Sequence, residues 1–213
     1  MNVRKNLVTA AAGLMMALSG GQALAQFADC STIGTIGAWA NAGSCTQGDK
    51  IWTYTSSDNL AATVQVIFSS ADPLEHTMQL VGFDNGPGAN AWNIKYDIAV
   101  ADPTLFYISD MFAGADNPVQ TSALLKQVVG DPGGAFNIGV INGVEGPGSE
   151  KHGLHAPSLT VDESFSVGAL GILLSVSNTY LETPVLVPTP GTLVLLAMGL
   201  GALGLSRRNR KLG

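Results

Sequence analysis

From Trp92 to Ala101 the chain alternates without a break. Trp92, Ile94, Tyr96, Ile98 and Val100 occupy one phase; Asn93, Lys95, Asp97, Ala99 and Ala101 occupy the other. Period two over ten residues puts the two sets on opposite faces of a β-strand. It excludes a helix, whose buried stripe recurs about every 3.6 residues. Shorter runs repeat the pattern. Val64, Val66 and Phe68 alternate with Thr63, Gln65 and Ile67, and Met78, Leu80 and Gly82 with Gln79 and Val81. Phe136, Ile138 and Val140 follow, then Leu170, Ile172, Leu174 and Val176 ahead of Asn178. Turn formers separate them: Asp84-Asn85-Gly86-Pro87-Gly88, Asp102-Pro103, Asp131-Pro132-Gly133-Gly134 and Gly146-Pro147-Gly148. Ser122–Val129 fits a helix or a strand equally. Short strands joined by polar turns predict an all-β fold, an antiparallel β-sandwich. No linker or repeat divides the middle, so residues 26–180 read as one domain and 181–191 as an extended tether.

Charge narrows the partners. Between residues 26 and 187, sixteen Asp and Glu stand against four Lys and no Arg, a net charge of −12. Such a surface repels nucleic acid and anionic lipid headgroups. Cys30 and Cys45 are the two cysteines. Outside the cytoplasm such a pair is normally oxidised, and closing this loop stabilises by about 3 kcal/mol in the chain-entropy model.

The two ends give an address. Arg4 and Lys5 precede an uncharged apolar run, Leu7 to Leu18, and then Ala23-Leu24-Ala25. A basic, an apolar and a small-residue region in that order predict a signal peptide over residues 1–25, with Ala23 and Ala25 at the positions read for cleavage before Gln26. At the other end Val187-Pro188-Thr189-Pro190 leads into an apolar run, Leu193 to Leu205, and then Arg207, Arg208, Arg210 and Lys211. The prolines keep their stretch extended. Residues 192–213 read as a short transmembrane helix with a basic, cytoplasmic stop. Ala197, Gly201 and Gly204 fall near one face of it and allow close approach of another helix.

Pro-x-Pro, a short Leu- and Gly-rich segment and an Arg cluster, in that order, resemble the PEP-CTERM sorting signal. Thr189 stands where that family has Glu. The resemblance covers about the last 26 residues. It implies recognition by an exosortase in the inner membrane of a Gram-negative bacterium after export by the Sec route. Transfer to the cell surface or matrix would follow, in association with exopolysaccharide. Two internal stretches are similar to secreted proteins that carry this signal: Cys45 to Trp52, a Cys-x-x-Gly-Asp-Lys-x-aromatic start, and Leu159 to Asp162 through Phe165-Ser166 with Ser175 to Tyr180. They imply a shared sandwich and a surface role rather than an activity.

Motifs for chemistry are sparse. Gly86-Pro87-Gly88-Ala89-Asn90-Ala91 has the letters of a dinucleotide fingerprint, but a strand rather than a helix N-terminus follows, so it reads as a hairpin loop. His152 and His155 lie near Glu150, Asp162 and Glu163, a candidate metal set that Gly153 and Pro157 break into an exposed loop. His76 reads as a surface residue. Asp84, Asn85 and Asp131 could bind calcium, yet turns demand Asp and Asn for backbone reasons alone. Neither a Gly-x-Ser-x-Gly elbow nor a His-Glu-x-x-His helix is present, and spacing alone cannot bring two carboxylates into a glycosidase pair. Among Trp39, Trp52, Tyr54, Trp92 and Tyr107, the pair Trp52 and Tyr54 follows polar Asp49-Lys50 and is the candidate sugar platform, against core packing as the simpler role. The expectation is therefore a non-catalytic, cofactor-free surface or matrix protein, with a carbohydrate-binding module and then a hydrolase as alternatives.

Overall fold

A computed structural model describes residues 27–84, 90–116, 122–130, 132–142, 144, 148–169 and 171–186. The signal-peptide positions Ala23 and Ala25, the motif Val187-Pro188-Thr189-Pro190, the basic residues Arg207, Arg208, Arg210 and Lys211, and the turn residues Asn85 and Asp131 lie outside them. Among the described residues no helix is long and apolar enough to cross a membrane.

Among the described residues twelve strands form two sheets. They are β1 (Ala28–Asp29), β2 (Ser44–Gln47), β3 (Lys50–Asp58), β4 (Gln65–Asp72), β5 (Glu75–Val81), β6 (Asn90–Val100), β7 (Phe106–Asp116), β8 (Ser122–Val129), β9 (Phe136–Ile141), β10 (Glu150–Lys151), β11 (Ser158–Val167) and β12 (Ser175–Pro184). One sheet runs β1-β2-β3-β6-β11-β8-β9 and the other β10-β7-β12-β5-β4. All pairings between these strands are antiparallel except β1 with β2. The all-β sandwich expected from the alternation is what forms.

The inward phase of β6 is the predicted one: Trp92, Ile94, Tyr96, Ile98 and Val100 are buried. β11 matches it with Leu159, Val161, Glu163, Phe165 and Val167. Aromatic rings bridge the layers. Trp52 of β3 lies 5.2 Å from Phe68 of β4 and 5.5 Å from Tyr180 of β12, centroid to centroid. A second set, Phe83, Trp92 and Phe165, fills the opposite end of β6. Such contacts add to the area each ring buries.

Three local expectations change. Ser122–Val129 is a strand, with Leu124, Lys126 and Val128 inward. The helix is elsewhere, α1 over Ile36–Ala42. The Thr35 hydroxyl caps it by accepting from Ala38 N at 3.2 Å, and Gly43 ends it at φ 73°. The last strand begins at Ser175 and runs to Pro184, so residues 181–184 belong to the sheet and not to a tether. Ile172 and Leu174, expected in that strand, are exposed. The disulfide Cys30–Cys45 is closed, with Cα atoms 5.0 Å apart, and pins the Cys30–Thr32 3-10 turn against β2.

Candidate functional site

Strand β12 is a polar seam through an apolar interior. Its inward residues are Val176, Asn178, Tyr180 and Glu182, all buried. Each of the three polar ones meets a polar group carried by the opposite sheet. The hydroxyls of Tyr180 and Tyr96 are 2.7 Å apart. Burial holds both phenols well above their ordinary range.

At one end of the seam Glu182 pairs with Lys50. The Lys50 ammonium also donates to Asp49 Oδ1 at 2.6 Å. His76 packs beside them, buried rather than on the surface as expected, with Nε2 donating to the carbonyl of Pro73 at 3.2 Å. Its Nε2 is 3.3 Å from Asp49 Oδ1. Burial and the neighbouring Lys50 charge push the imidazole below its usual 6.5. Asp49, His76 and Glu182 bring three potential metal ligands within 4.8 Å of one another. The Lys50 ammonium already supplies the cation there, so an incoming metal would have to displace it.

In the middle of the seam lies a triad that hydropathy alternation does not reveal. Lys126 on β8, Glu163 on the neighbouring strand β11 and Asn178 on β12 are each fully buried. Lys126 Nζ donates to Asn178 Oδ1 and, at 3.1 Å, to the carbonyl of Ser177. Asn178 Nδ2 donates to Glu163 Oε2 at 2.9 Å, and Glu163 Oε1 lies 3.6 Å from Lys126 Nζ. Burial is the largest influence on both ionisable groups, lowering the Lys126 pKa and raising that of Glu163. A signal for these residues is present in the sequence. Each sits on the apolar phase of its strand: Leu124-Lys126-Val128, Val161-Glu163-Phe165 and Val176-Asn178-Tyr180.

The expected site residues are dispersed. Trp52 is completely buried among aromatic rings, so it has no face open to a sugar. Tyr54 is half-buried, packed edge-on against Trp39, with its hydroxyl 2.8 Å from Ser57 Oγ. Burial, not the polar Asp49-Lys50 before them, decides their role. Of the residues weighed as a metal set, His152 and Glu150 stay together, Nε2 to Oε2 at 3.5 Å, and the others separate. His152 pairs with Asp110 at 2.8 Å, and His155 packs against Tyr107 with ring centroids 4.5 Å apart and planes tilted by 36°. Asp162 accepts from Asn93 at 2.6 Å in the seven-stranded sheet, while Glu163 points into the core.

Several hollows mark the surface of the described residues. Neighbouring depressions of about 320 and 330 Å³ on the seven-stranded sheet share Leu125 and Ser164. A larger groove of about 760 Å³ is lined by Pro103, Tyr107, His155, Pro157 and the last described residues, Thr183 to Leu186.

No protein-family model matches the chain, and no curated protein matches it. Two solved structures show a distant likeness. One is the carbohydrate-binding module TmCBM61 in complex with β-1,4-galactotriose, at 9% identity and a TM-score of 0.35, covering 63% of this chain and 88% of that one. The other is the enzymatically active domain of tailspike protein 4 of bacteriophage CBA120, at 17% identity and a TM-score of 0.28, covering 63% of this chain and 19% of that one. Likeness at these scores carries no functional argument.

Proposed function

We propose that the chain is an exported, non-catalytic surface or matrix protein whose C-terminal segment is a PEP-CTERM-type sorting signal. One observation carries the reading: Pro188-Thr189-Pro190, an apolar run and Arg207-Arg208-Asn209-Arg210-Lys211 follow one another in a chain that also has a signal-like Arg4-Lys5, apolar run and Ala23-Leu24-Ala25. Three features support it. The Cys30–Cys45 bridge suits an oxidising compartment. The acidic domain suits a soluble exterior. The last described strand ends at Pro184, ahead of the motif, so removing residues 187–213 leaves every described strand whole. An exosortase is the partner, the inner membrane a way station and exopolysaccharide the destination. Deleting residues 187–213 tests this. Surface fractions of the producing cells should lose the protein; unchanged delivery would overturn the proposal.

A second reading, a carbohydrate-binding module, is favoured by the groove at Tyr107 and His155, where two rings in tilted contact line a hollow bounded by prolines. Aromatic faces suit sugar rings. Binding to the producer's exopolysaccharide should then fall on Tyr107→Ala and stay unchanged on Trp39→Phe. A folded chain that binds no polysaccharide would remove this reading and leave the sorting proposal standing.

A further inference from the structure

The Lys126–Glu163–Asn178 triad differs from an ordinary buried ion pair in what the ammonium faces. Lys50, the other buried lysine of the core, meets two carboxylates, those of Asp49 and Glu182. Lys126 meets one carboxylate and one primary amide. Its Nζ is in contact with the amide group of Asn178, and Glu163 touches both the amine and the amide nitrogen: Oε1 lies 3.6 Å from Nζ, and Oε2 accepts from Nδ2 at 2.9 Å. All three side chains are sealed from water. A nucleophile, an electrophile with a leaving group, and a carboxyl group able to carry a proton between them are thus assembled in one dry site.

We propose that Lys126 and Asn178 form an intramolecular isopeptide bond, with Glu163 as the proton carrier. In the first step Glu163 takes a proton from the Lys126 ammonium, and the free amine adds to Asn178 Cγ. The Nζ–Cγ bond forms as the carbonyl electron pair moves onto Oδ1. The carbonyl then re-forms, the Cγ–Nδ2 bond breaks and the proton needed by the leaving nitrogen comes through Glu163. Overall, a lysine ammonium and a primary amide become a secondary amide and one ammonium ion. Atoms and charge balance, nothing is oxidised or reduced, and Glu163 ends as it began. Burial favours the start of this sequence, because a low dielectric penalises the ammonium and the carboxylate and favours the neutral pair.

The bond would join the two sheets, β8 of one to β12 of the other. Strand β12 leads directly to the sorting motif, so a pull on the C-terminal end loads it first. A cross-link there passes the load to the opposite sheet, and unlike the Cys30–Cys45 bridge it survives reduction.

Tandem mass spectrometry of the full-length chain, folded, then reduced and digested with trypsin, tests the proposal. The expected product is a branched species joining the peptide that contains Lys126 to the one that contains Asn178, with Lys126 uncut and one ammonia missing. Cyclisation of Gln26 at a new N-terminus also releases ammonia, so the branched peptide decides and not the intact mass. Glu163→Gln and Asn178→Ala should abolish the branch. If either variant fails to fold, the wild-type digest still decides between a branched and a linear product. A folded wild-type chain that trypsin cuts after Lys126, giving a linear peptide with an intact Asn178, overturns the proposal, as does a branch that persists in Asn178→Ala.

Discussion

At the scale of single residues, the interior is defined by its polar side chains as much as by its apolar ones. Lys50 and Glu182 are an inter-sheet ion pair with no exposed side-chain surface on either partner. Removing one partner of a buried pair costs about 3–5 kcal/mol, because the other is left charged and dry. Lys50→Met should therefore lose stability of that order in urea unfolding. The double variant Lys50→Met/Glu182→Leu should recover most of it; an equal loss in both would mean the cost is one of packing. His76 gives a pH signature. Its folded pKa lies below the 6.5 of the free side chain, so below that value the unfolded chain binds the extra proton and stability falls with acidification. The contribution is fully present above pH 6.5 and is lost as pH drops below it. His76→Gln should flatten the stability curve in that window, measured as the urea midpoint against pH.

At the scale of elements, strands are legible in the sequence wherever the inward phase is purely apolar. Strand β6 shows its faces correctly because Trp92, Ile94, Tyr96, Ile98 and Val100 carry no charged interruption. Strand β12 is displaced in the sequence pattern for the opposite reason. Asn178 and Glu182 sit on its buried phase, and the nearby apolar run Leu170-Ile172-Leu174 offers a louder signal. The same blindness hides the lysine triad: hydropathy alone scores an inward Lys126 or Glu163 as a break in the pattern, when a cross-sheet partner is what lets it stay. Helix α1 escapes because seven residues are too few to show a period, although its caps, Thr35 and Gly43, stand in the sequence. The disulfide is legible because Cys30 and Cys45 are the two cysteines of the chain. Replacing both Cys30 and Cys45 by Ser should cost about 3 kcal/mol, and the loss should appear in chemical denaturation. Gly130 is needed at the end of β8, where φ is +118° and a Cβ would lie 2.6 Å from the Ser158 carbonyl oxygen. Gly130→Ala should destabilise by about 1–3 kcal/mol, the usual cost of a strained backbone, with Gly82→Ala milder because open space surrounds it.

At the scale of the whole molecule, the two internal stretches that resemble sorted surface proteins meet across the core. Asp49, Lys50 and Trp52 come from the first; Asn178 and Tyr180 come from the second. Trp52 packs on Tyr180, and Lys50 pairs with Glu182 two residues further on. These stretches therefore encode the contact between the layers, which explains why they point to an architecture and not to a ligand. The C-terminal strand, β12, is held through this seam. The proposed sorting to the cell exterior requires that the sandwich stand without residues 192–213. Its most direct test is the C-terminal residue of the protein recovered from outside cells with an active exosortase, read by mass spectrometry. The expected terminus lies upstream of Leu193, with no peptide from the apolar segment or its basic tail. Recovery of the mature protein with residues 192–213 still attached would contradict it.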